Sequence, residues 1–457
     1  MTNTSTRTIA PSPRHAVRDD FLPKDAYLSK DFLRLENERM WPRVWQIACR
    51  VEELSGVGDY VTYDIADESI IVVRQTTDRI RAYHNTCSHR GRQLIEGAGR
   101  TSQFYCKYHG WRYNLDGQCT HVQDREDFSA SACFSDPELR LKEVRVDTWA
   151  GFVFINMDPD AEPLQTFIAP LPEFLDCFEM DTWRYRWYKT TILPCNWKVA
   201  LEGFNESYHV AATHPQLLQH MGDDVTRSYT YGRHGMYLYP PERVPLGAPS
   251  PKTGKPVPSD LRPGIVRHFN ELNDTLKAMY TERSVWAVSR LMDEVRPDAP
   301  VEEVYARMFQ FQKEAAEATG AGWPDISVEQ IMRAGTNWHL FPNHVFLQLV
   351  DGSIAYRARP NGGDPDSCIF DMWSLVRYSP GAEPPLKREF YPDWRENTVE
   401  NFCYILSQDF QNFGAVQRGM KSRGFPGARP NPIQELPVIH FHKVLADYMG
   451  VAAPEAI

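Results

Sequence analysis

Short runs of alternating apolar and polar residues follow one another along the chain from residue 59. Alternation at every second position is the period of a β-strand with one buried face. The runs are rich in Val, Ile and Tyr and are separated by polar turns; they read DYVTYDI, ESIIVVRQ, RIRAYHN and, further on, LKEVRVDTWAGFVFINM. The pattern predicts a small β domain from about residue 45 to residue 157.

A helical pattern precedes these strands. Ser29 is a favourable N-cap for the stretch KDFLRLENERMWPRVW, whose apolar positions include Phe32, Leu35 and Met40. Residues 1 to about 20 are polar and contain prolines, which is typical of an arm that has no core of its own. We expect the arm and the helix, residues 1–44, to pack on the domain that follows the β domain.

The remainder of the chain, residues 158–457, reads as a larger domain that mixes helices and strands. Strand-like runs occur early and late in it; they read RYRWYKTTIL, NWHLFPNHVFLQLV, SIAYRARP and CIFDMWSLVRYS. Residues 220–335 combine Pro- and Gly-rich loops with helical patterns such as GIVRHFNELNDTLKAMY. We interpret them as an insertion that covers or shapes a pocket.

Two stretches of this second domain are predicted to be helical. Residues 196–215, NWKVALEGFNESYHVAATHP, contain alanine and glutamate, and the proline should end the helix at or near His214. Glu206 and His209 would then share one helix face. His209 and His214 would lie about 140° apart, so they can share one metal only where the helix is distorted or ends. The other helix is predicted from about Pro385 or Trp394 to Met420.

Composition and charge narrow the possible functions. Hydrophobic residues make up 42% of the chain and charged residues 24%, as in ordinary globular proteins. The formal charge of −10 argues against broad nucleic-acid binding, because no basic face can neutralise phosphates. No long apolar run and no signal-peptide pattern is present, so we expect no membrane span and a cytoplasmic location. The chain contains no G-x-G-x-x-G motif, so we expect no flavin or nicotinamide domain fused to it.

The first candidate metal ligands in the chain are two pairs of Cys and His residues that begin at Cys87. Cys87 and His89 form one tight pair, Cys106 and His109 another. Zinc fingers pair Cys with Cys and His with His, whereas here each pair mixes the two types. The arrangement suits a [2Fe–2S] cluster in which one iron binds both sulfurs and the other binds both imidazoles. The other seven of the nine cysteines have no disulfide spacing and are expected to be reduced; they are Cys49, Cys119, Cys133, Cys177, Cys195, Cys368 and Cys403.

This stretch resembles the motif C-x-H-x₁₅₋₁₇-C-x₂-H of the Rieske domain in ring-hydroxylating oxygenase α subunits. The flanking dipeptides Arg90-Gly91 and Gly110-Trp111 also look like that family. The resemblance covers essentially the whole chain. It implies an α+β fold, in which an N-terminal Rieske β domain precedes a START-like helix-grip domain with an antiparallel sheet. A structural zinc ribbon is the alternative reading of the same four residues.

The resemblance also implies a mononuclear iron site. The family motif D/E-x₂-H-x₄-H is matched by Glu206, His209 and His214. Two histidines and a carboxylate form the facial triad that binds non-haem Fe(II) and leaves positions open for O₂. In this family the carboxylate lies on the late helix, which makes Asp409 in LSQDFQNFGAVQRG the candidate third ligand. Its competitors are Asp393, Glu396 and Glu400.

Glu206 has a different role by resemblance. The family places an acidic residue here that bridges a cluster histidine of one subunit, His109, to an iron histidine of the next. Most members carry Asp, whereas this chain has Glu, as a minority do. Many relatives have Asn three residues before this acid; this chain has Gly203, so a hydrogen bond from that Asn would be missing.

The function implied is that of the terminal oxygenase of a multicomponent system. Electrons from NAD(P)H would reach the cluster through a separate reductase, with or without a ferredoxin. A bridge between subunits implies a ring, most simply a homotrimer, with or without small β subunits. The substrate would be an aromatic or other small organic compound, or alternatively a quaternary amine or ether that is cleaved or demethylated. A Rieske protein that only carries electrons, and a zinc-binding protein, are more distant alternatives.

Aromatic and apolar residues of the second domain have two possible roles. They could line a hydrophobic substrate pocket, although residues of this kind more often pack in a core. The residues concerned are Phe204, Phe341, Phe346, Trp373 and Phe402.

Overall fold

The computed structural model describes residues 18–450, so most of the predicted N-terminal arm lies outside it. The described part begins with three short elements, which are β1 (Leu22–Pro23), α1 (Asp25–Leu28) and α2 (Lys30–Leu35). The Ser29 hydroxyl accepts a hydrogen bond from the Phe32 amide at 3.2 Å, which confirms the predicted N-cap. The helix is shorter than predicted, because a π-helical turn (Glu36–Met40) and a 3-10 turn (Trp41–Arg43) follow it.

The first domain contains two antiparallel sheets. The larger sheet is formed by β2 (Gln46–Arg50), β3 (Asp59–Ile65), β4 (Glu68–Thr76), β5 (Arg79–His84), β6 (Ala98–Arg100), β10 (Glu143–Trp149) and β11 (Phe152–Asn156). The smaller sheet is formed by β7 (Gln103–Tyr105), β8 (Arg112–Asn114) and β9 (Cys119–His121). The strand order of the larger sheet is β2-β11-β10-β5-β4-β3-β6, and that of the smaller one is β7-β8-β9. A short helix, α3 (Asp136–Leu139), lies between β9 and β10.

The second domain is built on an eight-stranded sheet. Its strands are β12 (Trp183–Leu193), β13 (Arg227–Tyr231), β14 (His234–Leu238), β15 (Asn337–Leu340), β16 (His344–Leu349), β17 (Gly352–Asn361), β18 (Asp364–Arg377) and β19 (Arg388–Tyr391). They are ordered β13-β14-β15-β16-β17-β18-β12-β19. All neighbours are antiparallel except β19, which runs parallel to β12 at the edge. The α+β class with an antiparallel sheet, expected from the resemblance, is confirmed.

Helices cover this sheet and fill the connections. They are α4 (Leu164–Phe167), α5 (Leu171–Leu175), α6 (Trp197–Glu202), α7 (Val210–Thr213), α8 (Arg262–Thr275), α9 (Glu282–Ser289), α10 (Leu291–Glu294), α11 (Val301–Ala318), α12 (Val328–Ala334), α13 (Thr398–Met420) and α14 (Leu436–Met449). The long late helix α13 ends at Met420 as predicted but begins at Thr398. A start at Pro385 is wrong, because the residues that follow it pair with β12 as strand β19. A final short strand, β20 (Gly427–Ala428), pairs with β1.

The two faces of the eight-stranded sheet contact different partners. One row of directly paired residues crosses it as Met236, Trp338, Phe346, Ala355, Trp373 and Tyr188. On this face the Trp373 ring stacks with Phe152 of the first domain at 6.0 Å. The neighbouring row, on the opposite face, is Gly235, His339, Val345, Tyr356, Met372 and Lys189. We call this opposite face the helix face, since Tyr356 stacks there on Phe204, which follows α6, and His339 contacts Phe441 of α14.

The predicted helix over residues 196–215 is interrupted. α6 ends at Glu202 and α7 begins only at Val210, so residues 203–209 form a loop. Glycine has low helix propensity at position 203, and polar side chains such as that of Ser207 prefer partners outside a helix. The Ser207 hydroxyl bonds instead to the Thr226 hydroxyl at 2.9 Å. The interruption removes the 140° separation that a continuous helix would impose on the two histidines.

A buried ion pair fixes the N-terminal segment on α6. The Lys198 ammonium lies 2.6 Å from the Glu36 carboxylate, and both side chains are fully enclosed. The second carboxylate oxygen of Glu36 accepts a hydrogen bond from the Trp197 indole at 3.2 Å. Trp41 packs against the same indole at 5.1 Å. Because α6 leads into the loop at 203–209, this packing also fixes the position at which that loop begins.

The five aromatic residues considered as a pocket lining are all buried in the main hydrophobic core; they are Phe204, Phe341, Phe346, Trp373 and Phe402. Core packing therefore accounts for them. Among residues 18–450, no helix combines the length and the apolar character needed to cross a membrane.

We predict that Lys198→Met destabilises the protein strongly. The variant keeps most of the side-chain volume but leaves the Glu36 carboxylate buried without its cation. The free energy of unfolding should fall by about 3–5 kcal/mol, measured by chemical denaturation. The double variant Glu36→Gln/Lys198→Met leaves no buried charge and should recover most of the loss. Equal losses in both variants would contradict a coupled pair.

Candidate metal centres

Two turns of the first domain present the Cys/His pairs in the same way. In the first, the Gly91 amide donates to the Cys87 carbonyl at 2.9 Å; in the second, the Gly110 amide donates to the Cys106 carbonyl at 3.0 Å. Both glycines have φ of +76°, a left-handed conformation that other residues rarely adopt. The glycines that follow each pair in the sequence are therefore required to close the two turns.

The four predicted cluster ligands come together at one end of the first domain. The thiols of Cys87 and Cys106 are buried, and the rings of His89 and His109 meet edge to face at 4.5 Å between centroids. The Nδ1 atoms of both histidines are buried without a hydrogen-bond partner among the described residues. Unpaired buried ring nitrogens are rare in folded proteins, so these atoms fit metal ligation. Two enclosed thiols beside two outer imidazoles match the donor set of a Rieske cluster.

Tyr113 is a neighbour of this site that was not predicted. Its hydroxyl lies 3.3 Å from the Cys87 sulfur and accepts a hydrogen bond from the Ser88 amide at 3.0 Å. Burial raises the pKa of the Cys87 thiol, the hydrogen bond from Tyr113 lowers it, and the adjacent Cys106 raises it again. Trp111 and Tyr113 are two positions apart, and residues at this spacing in a strand lie on the same face. The sequence could therefore have indicated that both side chains point into the same core.

The predicted iron ligands meet in the second domain. His209, His214 and Asp409 each offer a ligand atom, and these atoms all lie within 4.8 Å of one another. One Asp409 carboxylate oxygen is 2.9 Å from His214 Nε2 and 3.5 Å from His209 Nε2. Asp409 is contributed by α13, and the two histidines flank α7. Helix α7 is only four residues long, which allows both rings to face the same point.

The outer nitrogens of the two rings are held by polar side chains. The Glu206 carboxylate lies 2.6 Å from His209 Nδ1, and the Gln408 amide oxygen lies 2.9 Å from His214 Nδ1. Both oxygens accept from an N–H at Nδ1, so the Nε2 atoms beside Asp409 are the ring atoms left to bind a metal. Gln408 was not predicted as part of the site. Its position directly before Asp409 in the sequence could have indicated that it lies near the iron ligands.

Glu206 also fixes the start of α7. Its second carboxylate oxygen accepts a hydrogen bond from the His209 amide at 3.0 Å. Burial alone lowers the pKa of the His209 ring, but the hydrogen bond and charge of Glu206, together with Asp409, raise it to about 9. The carboxylate therefore binds both the backbone and the ring of one proposed iron ligand.

The other acids considered as a third ligand lie elsewhere. Asp393 forms an ion pair with Arg395 at 2.8 Å, while Glu396 and Glu400 are exposed. Among residues 18–450, none of the three lies beside the two iron histidines, whereas Asp409 lies beside both.

A groove of about 390 Å³ opens beside the second site and includes His209 and Asp409 in its lining. We call it the acidic groove, because Glu202, Glu206 and Glu435 also line it. The Glu202 carboxylate accepts from the Tyr27 hydroxyl at 2.8 Å and lies 2.6 Å from His442 Nε2. Burial raises the pKa of Glu435, and the neighbouring charges of Glu206 and Glu202 raise it further.

Gly203 and Phe413 explain one departure from the family pattern. A Cβ added to Gly203 would lie 2.7 Å from the Phe413 ring, closer than side-chain atoms can approach. Phe413 follows Asp409 by one helical turn and also lines the acidic groove. The Phe413 ring therefore occupies the space that a side chain at position 203 would need.

The two sites lie apart in the part of the chain that the structure describes. Within it, no hydrogen bond, ion pair or ring contact links residues 87–92 or 106–112 to α6, α7 or α13. The contacts of these loops are with one another and with other residues of the first domain.

Comparison with protein families supports both domains. Residues 44–135 match the Rieske [2Fe-2S] domain, and residues 180–451 match the ring hydroxylating alpha subunit (catalytic domain). The matched domains imply a Rieske cluster and a mononuclear iron, in agreement with the prediction.

Several known proteins are similar over part of the chain. The carnitine monooxygenase oxygenase subunit of Escherichia coli (strain K12) is 34% identical over 197 residues, which cover 42% of this chain and 52% of the relative. The glycine betaine monooxygenase oxygenase subunit of Chromohalobacter salexigens is 33% identical, with 45% of each chain covered. The benzene 1,2-dioxygenase subunit alpha of Pseudomonas putida is 33% identical, with 44% of each covered. The alignments thus span about half the length of these relatives.

Solved structures resemble the whole fold. A quaternary ammonium Rieske monooxygenase in complex with L-carnitine aligns with a TM-score of 0.64 at 18% identity, over 96% of this chain and 99% of the other. Naphthalene 1,2-dioxygenase with bound indole aligns with a TM-score of 0.65 at 18% identity, over 96% and 95%. At this identity the similarity shows the fold alone. With more than half of its length matched by the catalytic-domain model, the chain belongs to the ring-hydroxylating α-subunit family and carries a Rieske domain before the catalytic domain.

Proposed function

We propose that this protein is the terminal oxygenase component of a multicomponent Rieske oxygenase. The arrangement of the second site supports this proposal best. Glu206 and Gln408 bind the Nδ1 atoms of the two histidines, and both Nε2 atoms lie beside Asp409. Two imidazoles and one carboxylate that converge in this way fit the facial triad of non-haem iron. Neither a zinc-binding protein nor a simple electron carrier needs such a second site.

Each centre has a distinct set of protein ligands. Cys87, His89, Cys106 and His109 would hold the [2Fe–2S] cluster, and His209, His214 and Asp409 would hold Fe(II). When bound, the cluster supplies single electrons and the iron supplies a site for O₂ activation. The chain positions these groups, encloses the cluster sulfurs and fixes the tautomers of the iron histidines.

Electron transfer is proposed to cross between two copies of the chain. The cluster turns, residues 87–92 and 106–112, contain no acidic residue and expose four cations; these are Arg90, Arg92, Lys107 and Arg112. The acidic groove beside the iron ligands presents carboxylates, with Glu206 against His209. Opposite charges favour docking of the cluster end of one copy into the groove of the next. His109 would then reach Glu206, and a closed ring such as a homotrimer would satisfy every site.

The substrate is proposed to be a small organic cation. Two of the similar proteins are monooxygenases of carnitine and glycine betaine, and this chain has Glu rather than Asp at position 206. An aromatic ring substrate is the second candidate, because the benzene dioxygenase subunit is similar to a comparable degree.

The partners follow from the same proposal. Electrons would come from NAD(P)H through a reductase, with or without a ferredoxin, since this chain carries no nicotinamide-binding motif. The assembly would be a homotrimer or would include small β subunits. We propose a cytoplasmic location, which suits nine cysteines that form no disulfide with one another.

A single-turnover experiment tests the proposed function without a reductase. The purified protein is reduced chemically and mixed with O₂ and a panel of compounds, which includes L-carnitine, γ-butyrobetaine, glycine betaine, choline and benzoate. We expect one compound to accelerate reoxidation of the visible cluster bands and to yield an oxygenated or dealkylated product. A colourless protein that contains zinc would contradict the proposal.

Asp409→Ala should remove the mononuclear iron and leave the cluster. The variant deletes the carboxylate that faces both iron histidines, so the facial triad is incomplete. Metal analysis should show loss of the third iron per chain with an unchanged visible spectrum. Asp393→Ala is the matched control, because that acid pairs only with Arg395, and it should keep its full iron content. Full iron occupancy in Asp409→Ala would exclude this residue as a ligand.

Glu206→Gln should keep both metals and slow electron transfer between them. The amide cannot serve as the anionic acceptor for imidazole N–H groups on both sides, so coupling between the rings weakens. Stopped-flow spectroscopy should show cluster reoxidation slower by at least about tenfold, the equivalent of one lost charge-assisted hydrogen bond. Glu435→Gln, in the same groove but not bonded to an iron histidine, is the control. Equal rates in wild type and Glu206→Gln would defeat the bridging role.

A further inference from the structure

Asn205 is an unusual buried residue of the loop between α6 and α7. It directly precedes Glu206 and lies four residues before His209. Its exposed fraction is 0%, yet neither its amide oxygen nor its amide nitrogen has a hydrogen-bond partner in the described part of the chain. Buried polar groups are almost always paired in native proteins, because an unpaired one destabilises the fold. An exception next to a proposed iron site needs an explanation.

The loop that contains Asn205 lies on the helix face of the sheet. The preceding residue, Phe204, stacks on Tyr356 of β17 at 4.0 Å. The Phe204 carbonyl accepts a hydrogen bond from the Asn337 side chain of β15 at 2.9 Å. Tyr237 of β14 is paired directly with Asn337 and therefore belongs to the same face. Asn205 thus belongs to the part of the loop that packs against the sheet, and we call this region the layer.

The contacts of Phe204 locate this layer relative to the iron ligands. Its ring stacks on Tyr356 of the sheet and meets Phe413 of α13 edge to face at 6.0 Å. Phe413 follows Asp409 by one helical turn. The layer therefore lies between the sheet and the helix that carries Asp409.

Two other polar side chains of this layer have protein partners. Asn337 donates to the Phe204 carbonyl, and Ser207 bonds to Thr226. Asn205 differs, because it offers two N–H donors and a carbonyl acceptor, and none of these is used. A side chain of this kind is typical of a site that hydrogen-bonds a ligand rather than the protein.

We propose that Asn205 is a specificity-determining residue that hydrogen-bonds the substrate. Its amide would donate to a carboxylate or hydroxyl oxygen and accept from a hydroxyl group of the substrate. The preferred substrate is then a small organic cation that also carries a hydroxyl or carboxylate group, held with its methyl groups toward the iron ligands. The inference rests on the proposed oxygenase function and narrows its substrate class.

Two matched variants separate a ligand-binding amide from a structural one. Asn205→Leu keeps a similar volume but removes all hydrogen bonding, and Asn337→Leu makes the same change at a buried Asn that has a partner. Because the Asn205 amide has no protein partner, Asn205→Leu should raise Tm by about 1–3 °C, whereas Asn337→Leu should lower it. A fall in Tm for Asn205→Leu comparable to that for Asn337→Leu would overturn the proposal.

Steady-state kinetics of the holoenzyme provide the second test. L-carnitine and γ-butyrobetaine differ by one hydroxyl group, so the pair reports directly on hydroxyl recognition. Loss of one hydrogen bond should raise KM in Asn205→Leu about tenfold with kcat nearly unchanged, and should reduce discrimination between the two compounds. An unchanged KM and unchanged discrimination would overturn the proposal.

The two tests also separate this inference from the proposed function. If the wild-type protein oxidises no cation of the panel, the proposed substrate class is wrong. The unfolding measurements then decide about Asn205: a gain in Tm supports a ligand-binding amide, and a loss shows a structural one.

Discussion

The packing of α13 on the helix face of the sheet is the constraint on which the iron site depends. It places Gln408 and Asp409 beside His214, although 194 residues separate His214 from Gln408 along the chain. Phe410, on the same helix, contacts Phe370 of the sheet edge to face. Each such buried aromatic ring contributes about 1.5–3 kcal/mol. The apolar contacts of α13 therefore hold the polar ligand set in place.

The interrupted segment between α6 and α7 provides the other half of the site. α6 is fixed by the buried Glu36–Lys198 pair, and α7 begins where Glu206 accepts from the His209 amide. The loop between them is compact, and its side chains point in different directions. Phe204 packs on the sheet, Glu206 enters the acidic groove, and Ser207 bonds toward β13. In a continuous helix, these neighbouring side chains could not reach the sheet, the acidic groove and β13 at the same time.

The sequence was most informative where chemistry requires fixed local spacing. The two Cys/His pairs could be read directly and the Glu206-His209-His214 motif by resemblance, and the structure brings each set together. Asp409 could be selected only by resemblance, because its position depends on long-range packing that periodicity does not encode. The break after α6 was missed, since alanine and glutamate favour a helix locally while tertiary bonds of Ser207 favour a loop. Tyr113 and Gln408 were missed because their roles depend on contacts across strands and helices.

A mixed-assembly experiment tests most directly the claim that electrons cross from one copy of the chain to another. Subunits with His109→Ala, which lack a functional cluster, would be co-assembled with Asp409→Ala subunits, which lack the iron. Each variant alone should be inactive with the substrate found by single turnover. The mixed assembly should regain activity, because an intact cluster then adjoins an intact iron site in the neighbouring subunit. A mixture as inactive as its two components, with both subunits shown to be assembled, would contradict electron transfer between copies.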